Sequence, residues 1–349
     1  MDLEMLEKRA AVIKQVRSFF DSRKYLELDT PLLSLDLIPE SCLEVFQTER
    51  LFPGASRKES RPLWLIPSPE IWMKKIIARH GVDIYQICKC FRNGESEGRL
   101  HNFEFTMLEY YTMNADYMDS LELTEELFEK FIKKSSRKPR TNGSAEAQRT
   151  QREEGDCCYS TFDRITVADA FLKYAGFDLF ETAAEGSDAM AAQARRLGLE
   201  PIPCMTVPQL YDLIFIHTVE PRLKGDKPVA LINYPAFVPC LAKKAADGKT
   251  VERWELYWNG IELANCFSEE TDPQKVKEFF LSEEAEKKRN AVAPHNVDHD
   301  YWKIFNNFPK CSGVAMGLDR LIMALTGKRS IDGVMITIDN QPISSPPFS

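Results

Sequence analysis

Apolar residues recur at helical spacing near the start of the chain, where Leu6, Ile13, Val16 and Phe20 predict an amphipathic helix over residues 3–20. The period then shortens to two: in YLELDTP, Leu26 and Leu28 alternate with Glu27 and Asp29 until Pro31 ends the pairing. Ser68-Pro69-Glu70 reads as a helix start, with Ser as N-cap, Pro in the first turn and an acid at the positive end; Gly81 closes that helix after His80. Residues 84–92 and 103–111 predict two strands joined by the polar loop NGESEGRLHN, and residues 116–134 a long helix. A helical region over 166–220 leads to a second β-rich block at 229–267. The last unit is strand then helix, CSGVAMG followed by LDRLIMALTG.

Between these patterns lies a stretch without apolar periodicity. Residues 133–152 carry seven Lys or Arg against one Glu, so a basic insertion at 134–156 is expected as a mobile surface loop within one domain spanning 1–349. The 21 Phe, 11 Tyr and 5 Trp supply more aromatic surface than a disordered chain carries. No apolar run approaches the roughly 20 residues of a membrane span, and MDLEMLEKRA has no signal-peptide pattern, so no membrane association and a cytoplasmic location are expected. The net charge of −8 argues against a dedicated nucleic-acid binder. Nine scattered cysteines without a CxxC pair predict free thiols rather than a zinc knuckle.

Three constellations could carry chemistry. In RWELYWNGIELANCFSEE, Asn259-Gly260 predicts a two-residue hairpin turn that pairs Trp258 with Ile261 and Tyr257 with Glu262. Glu255 and Glu262 then become diagonal neighbours roughly 7–8 Å apart, a spacing from which two carboxylates can hold Mg²⁺ on a polyphosphate. Geometry alone leaves a second reading open: two solvated acids on the wet face of a hairpin. In the strand–loop–strand from Tyr85 to Tyr111, Arg92 ends the first strand, Arg99, His101 and Asn102 cluster before the second, and Met107, Glu109 and Tyr111 share a face. An arginine fork beside a carboxylate and a phenol suits an anionic group next to a cationic one, though an exposed polar hairpin loop would carry the same residues. In Gly313-Val-Ala-Met-Gly317-Leu-Asp319-Arg320, small residues let a ligand approach the backbone, and Arg320 opens a helix that buries Leu321, Ile322 and Leu325. Gly248-Lys249-Thr250 is no P-loop, because Lys243 stands where its first glycine belongs; His295 and His299 lack an HExxH frame, and no GxSxG occurs.

Taken in order, a helix and strand ending at Pro31, then FRN…RLHNFEFTMLEYY and GVAMGLDRL resemble motifs 1, 2 and 3 of class II aminoacyl-tRNA synthetases, with IELANCFSE between the last two. The SPE helix start and YPAFVPCLAKK point to the lysyl branch, closest to its short paralogues that ligate a lysine to elongation factor P. The resemblance covers nearly the whole chain apart from the basic insertion.

That resemblance implies an α+β class II catalytic fold, an antiparallel six- or seven-stranded sheet flanked by helices, and a homodimer through motif 1. It implies ATP and Mg²⁺, a lysine-like amino acid, namely (R)-β-lysine, and elongation factor P as protein acceptor. Arg92 would clamp the α-phosphate and Arg320 the γ-phosphate; Asn93, His101, Asn102, Leu263 and Gly317 would border the nucleotide, and Glu255 with Glu262 would hold Mg²⁺. Ser68, Pro69 and Glu70 would take the amino group nearer the carboxylate, and Glu109, Tyr111 and Glu269 the distal ammonium, with Ala315 on the pocket floor. The usual motif 2 has Glu directly after Arg-Asn; here Gly94 stands there, and the role shifts to Glu95. Simple alternation from Glu262 turns Asn265 to the opposite face. The chain shows no room for an anticodon-binding domain, with motif 1 within ten residues of the start and 29 residues after Arg320, so tRNA is not the expected acceptor. Two rivals are a truncated synthetase that charges tRNA and an inactive regulatory binding protein; the second usually loses the motif arginines or metal acids present here.

Overall fold

The computed structural model describes residues 2–53, 60–94, 98–135, 162–225 and 227–337. Asp2 caps helix α1 (Leu3–Ser22) by accepting the Met5 N–H at 2.8 Å. Short strands β1 (Leu26–Glu27), β2 (Leu33–Ser34), β3 (Gln47–Arg50) and β4 (Arg61–Leu65) follow, then α2 (Glu70–His80), β5 (Ile84–Phe91), β6 (Glu104–Met113) and α3 (Tyr117–Ser135). Strand β7 (Asp163–Thr166) leads into α4 (Val167–Tyr174), α5 (Leu179–Glu185), α6 (Ser187–Arg196) and α7 (Val207–Ile214). The rest comprises β8 (Val229–Pro235), β9 (Thr250–Trp258), β10 (Ile261–Ser268), α8 (Pro273–Asn290), β11 (Cys311–Gly317) and α9 (Leu318–Thr326). Residues 136–161, which hold most of the basic insertion expected at 134–156, lie outside the described residues.

The central sheet has eight strands in the order β1-β5-β6-β11-β10-β9-β8-β7. It corrects the expected six or seven antiparallel strands: β1 on β5 and β7 on β8 are parallel, which makes the sheet mixed. Alternation in YLELDTP announces β1 but not its parallel pairing, and four-residue β7 is too short to announce itself. A second sheet, β2-β4-β3, was likewise not legible for the same reason.

The inward stripe of α1 also differs from expectation. Met5, Val12, Val16, Phe19 and Phe20 are buried, whereas Leu6 is exposed. The inward face is set partly by a charge, because Arg9 reaches Asp319 at 2.5 Å and Thr106 at 2.9 Å. A count of apolar positions cannot see that contact. Ser68 does not cap α2 either: Pro69 occupies the cap position without a side-chain bond, while Gly81 ends the helix at φ 58° with its N–H on Ile77 O.

Strand alternation divides the sheet into two faces. Leu108, Tyr110, Trp254, Cys266 and Val314 point into a core built with α1, α3 and α9. The opposite face carries a straight row of directly opposed residues across five strands: Gln86, Glu109, Ala315, Asn265 and Glu255. The neighbouring row runs Ile84, Tyr111, Gly313, Phe267 and Arg253. Helices α4–α7 cover one end of this face and α2 with α8 the other, leaving its middle open.

Candidate active site

The turn at Asn259 (φ 54°) and Gly260 (φ 75°) forms as the sequence predicts, pairing Trp258 with Ile261 and Tyr257 with Glu262. One residue later the register shifts: Leu256 faces Ala264 and Glu255 faces Asn265, so Leu263 is a β-bulge. The extra residue reverses the alternation. Asn265 therefore shares the face of Glu255, correcting the expectation that it turns away.

A cavity of about 430 Å³ lies on this face. Arg92, His101, Asn102, Glu255, Glu262, Leu263, Ala315, Gly317 and Arg320 all line it, as do Arg253 and Asn265. Arg92 lies over the Phe105 ring at 5.3 Å. Arg320, at the start of α9, donates to Glu262 O at 3.0 Å and to Leu100 O at 3.2 Å, with the Glu262 carboxylate 3.7 Å away. These contacts fix its guanidinium at the cavity wall, which Arg92 also lines. Asn102 instead spends its amide on Glu104 O at 2.5 Å, and Asn93 folds its side chain back onto Gly94 N–H at 2.9 Å. Asn93 does not line the cavity. Glu95 lies outside the described residues.

The two acids assigned to the metal differ in environment. Glu255 accepts from Arg253 at 2.5 Å on one oxygen and from Tyr234 and Tyr257 at 2.6 Å each on the other. The carboxyl of Glu262 is pushed up to about 7 by burial and by the charge of Glu255, against the pull of Arg320, Arg92 and Arg253. A cation between them would relieve that repulsion, and Glu255 Oε1 keeps a second lone pair for it. The residues fit Mg²⁺ on this ground.

Ser68, Pro69, Glu70, Glu109, Tyr111 and Glu269 do not line the open cavity. Glu70, Glu109, Tyr111 and Glu269 form a cluster beside it, with Glu109 in the same strand row as Ala315 and Tyr111 in the next row. Tyr111 donates to Glu109 Oε1 at 2.8 Å, while Glu109 Oε2 is buried with no hydrogen-bond partner among the described residues. Burial, then the charge of Glu70, holds the Glu109 carboxyl well above its ordinary range. Sequence reasoning missed the centre of this cluster: Lys74, fully buried, sits 2.5 Å from Glu70 and 2.6 Å from Glu269. Burial opposes its charge, but Glu269 and Glu70 outweigh that and keep it protonated. Its i+4 spacing from Glu70 on one helix was the available signal. Glu269 itself is pushed up to about 7, by burial first and by Glu70, against Lys74. Gly313 is required here, since a Cβ would meet Tyr111 Cε1 at 2.5 Å and Glu269 Oε1 at 2.8 Å.

Asp319 and Glu40 were also missed. Asp319 ties Arg9 of α1 and the Thr106 N–H (2.6 Å) together, setting α9 and β6 behind Arg320. Glu40 lines the cavity from a loop without regular structure, where no pattern marks it.

Comparison with known proteins covers almost all of this architecture. The family model described as tRNA synthetases class II (D, K and N) matches residues 2–337. The chain is 33% identical over 336 residues to an elongation factor P--(R)-beta-lysine ligase of Vibrio atlanticus, spanning 95% of this chain and 94% of the relative. It is 32% identical over 339 residues to a ligase of the same description from Pectobacterium atrosepticum, spanning 96% and 95%. Against that of Vibrio vulnificus it is 34% identical over 337 residues, spanning 95% and 94%.

Proposed function

Because the chain belongs to the class II tRNA synthetases of the D, K and N type, we propose that it activates a lysine-type amino acid, (R)-β-lysine, with ATP and passes the acyl group to a lysine side chain of elongation factor P. The observation that carries the reading is the acid cluster. Three carboxylates, Glu70, Glu109 and Glu269, face one buried ammonium, Lys74, and Glu109 keeps an unpartnered oxygen. A site so charged favours a cationic substrate and offers it a charge-assisted bond.

The cavity supplies the other half of the chemistry. The substrate carboxylate attacks the α-phosphorus of ATP, a P–O bond forms to the acyl oxygen, and pyrophosphate leaves. Arg92 binds the α-phosphate and Arg320 the γ-phosphate, so that charge developing in the transition state meets preorganised donors. His101, Leu263 and Gly317 border the nucleotide. Glu255 and Glu262 would hold Mg²⁺, which supplies charge neutralisation on the polyphosphate when bound. Glu109, oriented by Tyr111, takes the distal ammonium; Glu70 and Glu269, spaced by Lys74, shape the rest of the amino-acid pocket beside Ser68 and Pro69. Ala315, directly between Glu109 and Asn265 in the sheet, forms its floor.

The three cores around one sheet support a single domain. Leu26, Leu32, Leu33 and Leu35 are exposed around strands β1 and β2, which supports a homodimer across that edge. No helix among the described residues is long and apolar enough to cross a membrane.

The test is ATP–pyrophosphate exchange with (R)-β-lysine, α-lysine and other lysine isomers, with and without tRNA, followed by mass analysis of elongation factor P. Exchange without tRNA and one acyl addition to the acceptor protein are expected. Exchange absent with every isomer would overturn the reading.

A further inference from the structure

Residues 37–44 border the cavity as a loop pinned by other elements rather than by its own secondary structure. The Leu37 N–H donates to Asn296 O at 3.0 Å, and the Asn93 N–H donates to Glu44 O at 3.0 Å. Lys287 of α8, itself buried, donates to the carbonyls of Glu40 (3.0 Å) and Leu43. Glu283 accepts the Ser41 N–H at 2.8 Å, and the Glu44 carboxylate accepts the N–H groups of Val292 and Ala293 at 2.9 and 3.0 Å. A loop held at so many points presents its side chains in a defined place. One of them, Glu40, lines the cavity together with Arg92.

The charged and titratable groups facing Glu40 are Glu70 from α2, Arg92 at the end of β5, Lys287 and Glu283 from α8, and Cys42 from its own loop. Burial and then the charge of Glu70 push its carboxyl up to about 7, with Arg92 and Lys287 pulling the other way. Adenylate formation, as derived above, makes no use of this group.

We propose that Glu40 is the general base of acyl transfer, taking a proton from the ammonium of the acceptor lysine so that the neutral amine can attack the adenylate carbonyl. The inference rests on the activation-and-transfer reading and deepens it. An acceptor lysine, with a reference pKa of about 10.4, is almost wholly protonated at neutral pH and has no lone pair to offer. One ammonium proton passes to a Glu40 carboxylate oxygen. The nitrogen lone pair then forms the C–N bond, the bond from carbonyl carbon to the phosphate oxygen breaks, and AMP leaves with that electron pair. The second proton on nitrogen is released to solvent as the amide forms. Arg92, assigned to the α-phosphate, sets Glu40 beside the carbonyl under attack. A carboxylate that titrates near the working pH is suited to the task.

The experiment compares the parent, Glu40→Gln and Glu40→Asp in two assays: hydroxamate formation with hydroxylamine, a nucleophile already unprotonated at neutral pH, and acyl transfer to elongation factor P. Glu40→Gln should form hydroxamate near the parental rate and transfer to protein about 10²–10³-fold more slowly. The parent's transfer rate should inflect near pH 7 and that of Glu40→Gln should not, and Glu40→Asp should recover part of the transfer. Parental transfer by Glu40→Gln, or loss of hydroxamate formation along with transfer in the variant, overturns the inference while leaving the activation reading of the parent intact. A parent that forms no hydroxamate overturns the activation reading, and this inference with it.

Discussion

Lys74 Nζ stands 2.6 Å from Glu269 Oε2, and the two side chains are each 1% exposed. The protein thus keeps an ammonium of its own inside a pocket whose remaining acids suit a substrate's ammonium. Lys74 holds Glu70 and Glu269 apart at fixed positions and offsets part of the charge that would otherwise have to be neutralised before any substrate arrives.

Lys74→Met removes that compensation and leaves buried carboxylates unpaired. The variant should lose about 3–5 kcal/mol of stability, more at about pH 8 than at about pH 5, where the carboxyls can take up protons instead. Urea unfolding at the two pH values checks this, and an equal loss at both would show that Lys74 is not a counter-ion.

Gly313→Ala places a methyl 2.5 Å from Tyr111 Cε1 and 2.8 Å from Glu269 Oε1. The ring must shift, and its hydroxyl holds Glu109. The expected result is a stability loss of about 1–3 kcal/mol and a raised KM for the amino acid with little change in KM for ATP. Equal effects on both KM values would place Gly313 outside the amino-acid pocket.

Arg92→Ala and Arg320→Ala should each lower adenylation by about 3–4 kcal/mol in the transition state while leaving the thermal midpoint close to the parental value. Arg320 is the more exposed to a structural effect, since it also bonds Glu262 O and Leu100 O. Arg320→Lys, which keeps charge without the fork, separates the two roles through its Tm.

Glu262 and Glu269 each titrate at about 7 in the folded chain, above the reference of about 4.3 for glutamate. The folded state therefore holds protons that the unfolded state releases. Their contribution to stability is full below about pH 4 and is lost as pH rises through about 7. The Tm of the free protein should fall from about pH 5 to about pH 8, and Mg²⁺ with ATP should raise it more at the higher pH, where Glu262 is ionised. A ligand-induced rise in Tm independent of pH would exclude Glu262 from the metal site.

Ala315 lies directly opposite Glu109 on one side and Asn265 on the other. In the proposed pocket its methyl would take space beside the substrate's α-carbon, where α-lysine carries an amino group that (R)-β-lysine carries one carbon further along. Ala315→Gly should shift the kcat/KM ratio of the two isomers towards α-lysine by about 10–200-fold. An unchanged ratio would show that the methyl does not set the preference.

Much of this protein follows from neighbours in the chain. The Asn259-Gly260 turn, the Gly81 stop and the facing of Glu109 with Tyr111 depend on local backbone preferences and a two-residue period, so they are readable along the sequence. The arginines and acids of the resembling motifs were readable as residue types for the same reason. Tertiary structure alone decided the rest. The Leu263 bulge turned Asn265 onto the face of Glu255, and a single inserted residue leaves no mark in a hydrophobic pattern. Edge strands β1 and β7 pair in parallel because longer strands beside them offer free backbone groups. Lys74 and Glu40 took their places in the site through residues about 200 or more positions away, Glu269 in one case and Lys287 in the other. The chain determined which chemical groups were available; long-range packing determined which of them meet, because that depends on contacts no local stretch encodes.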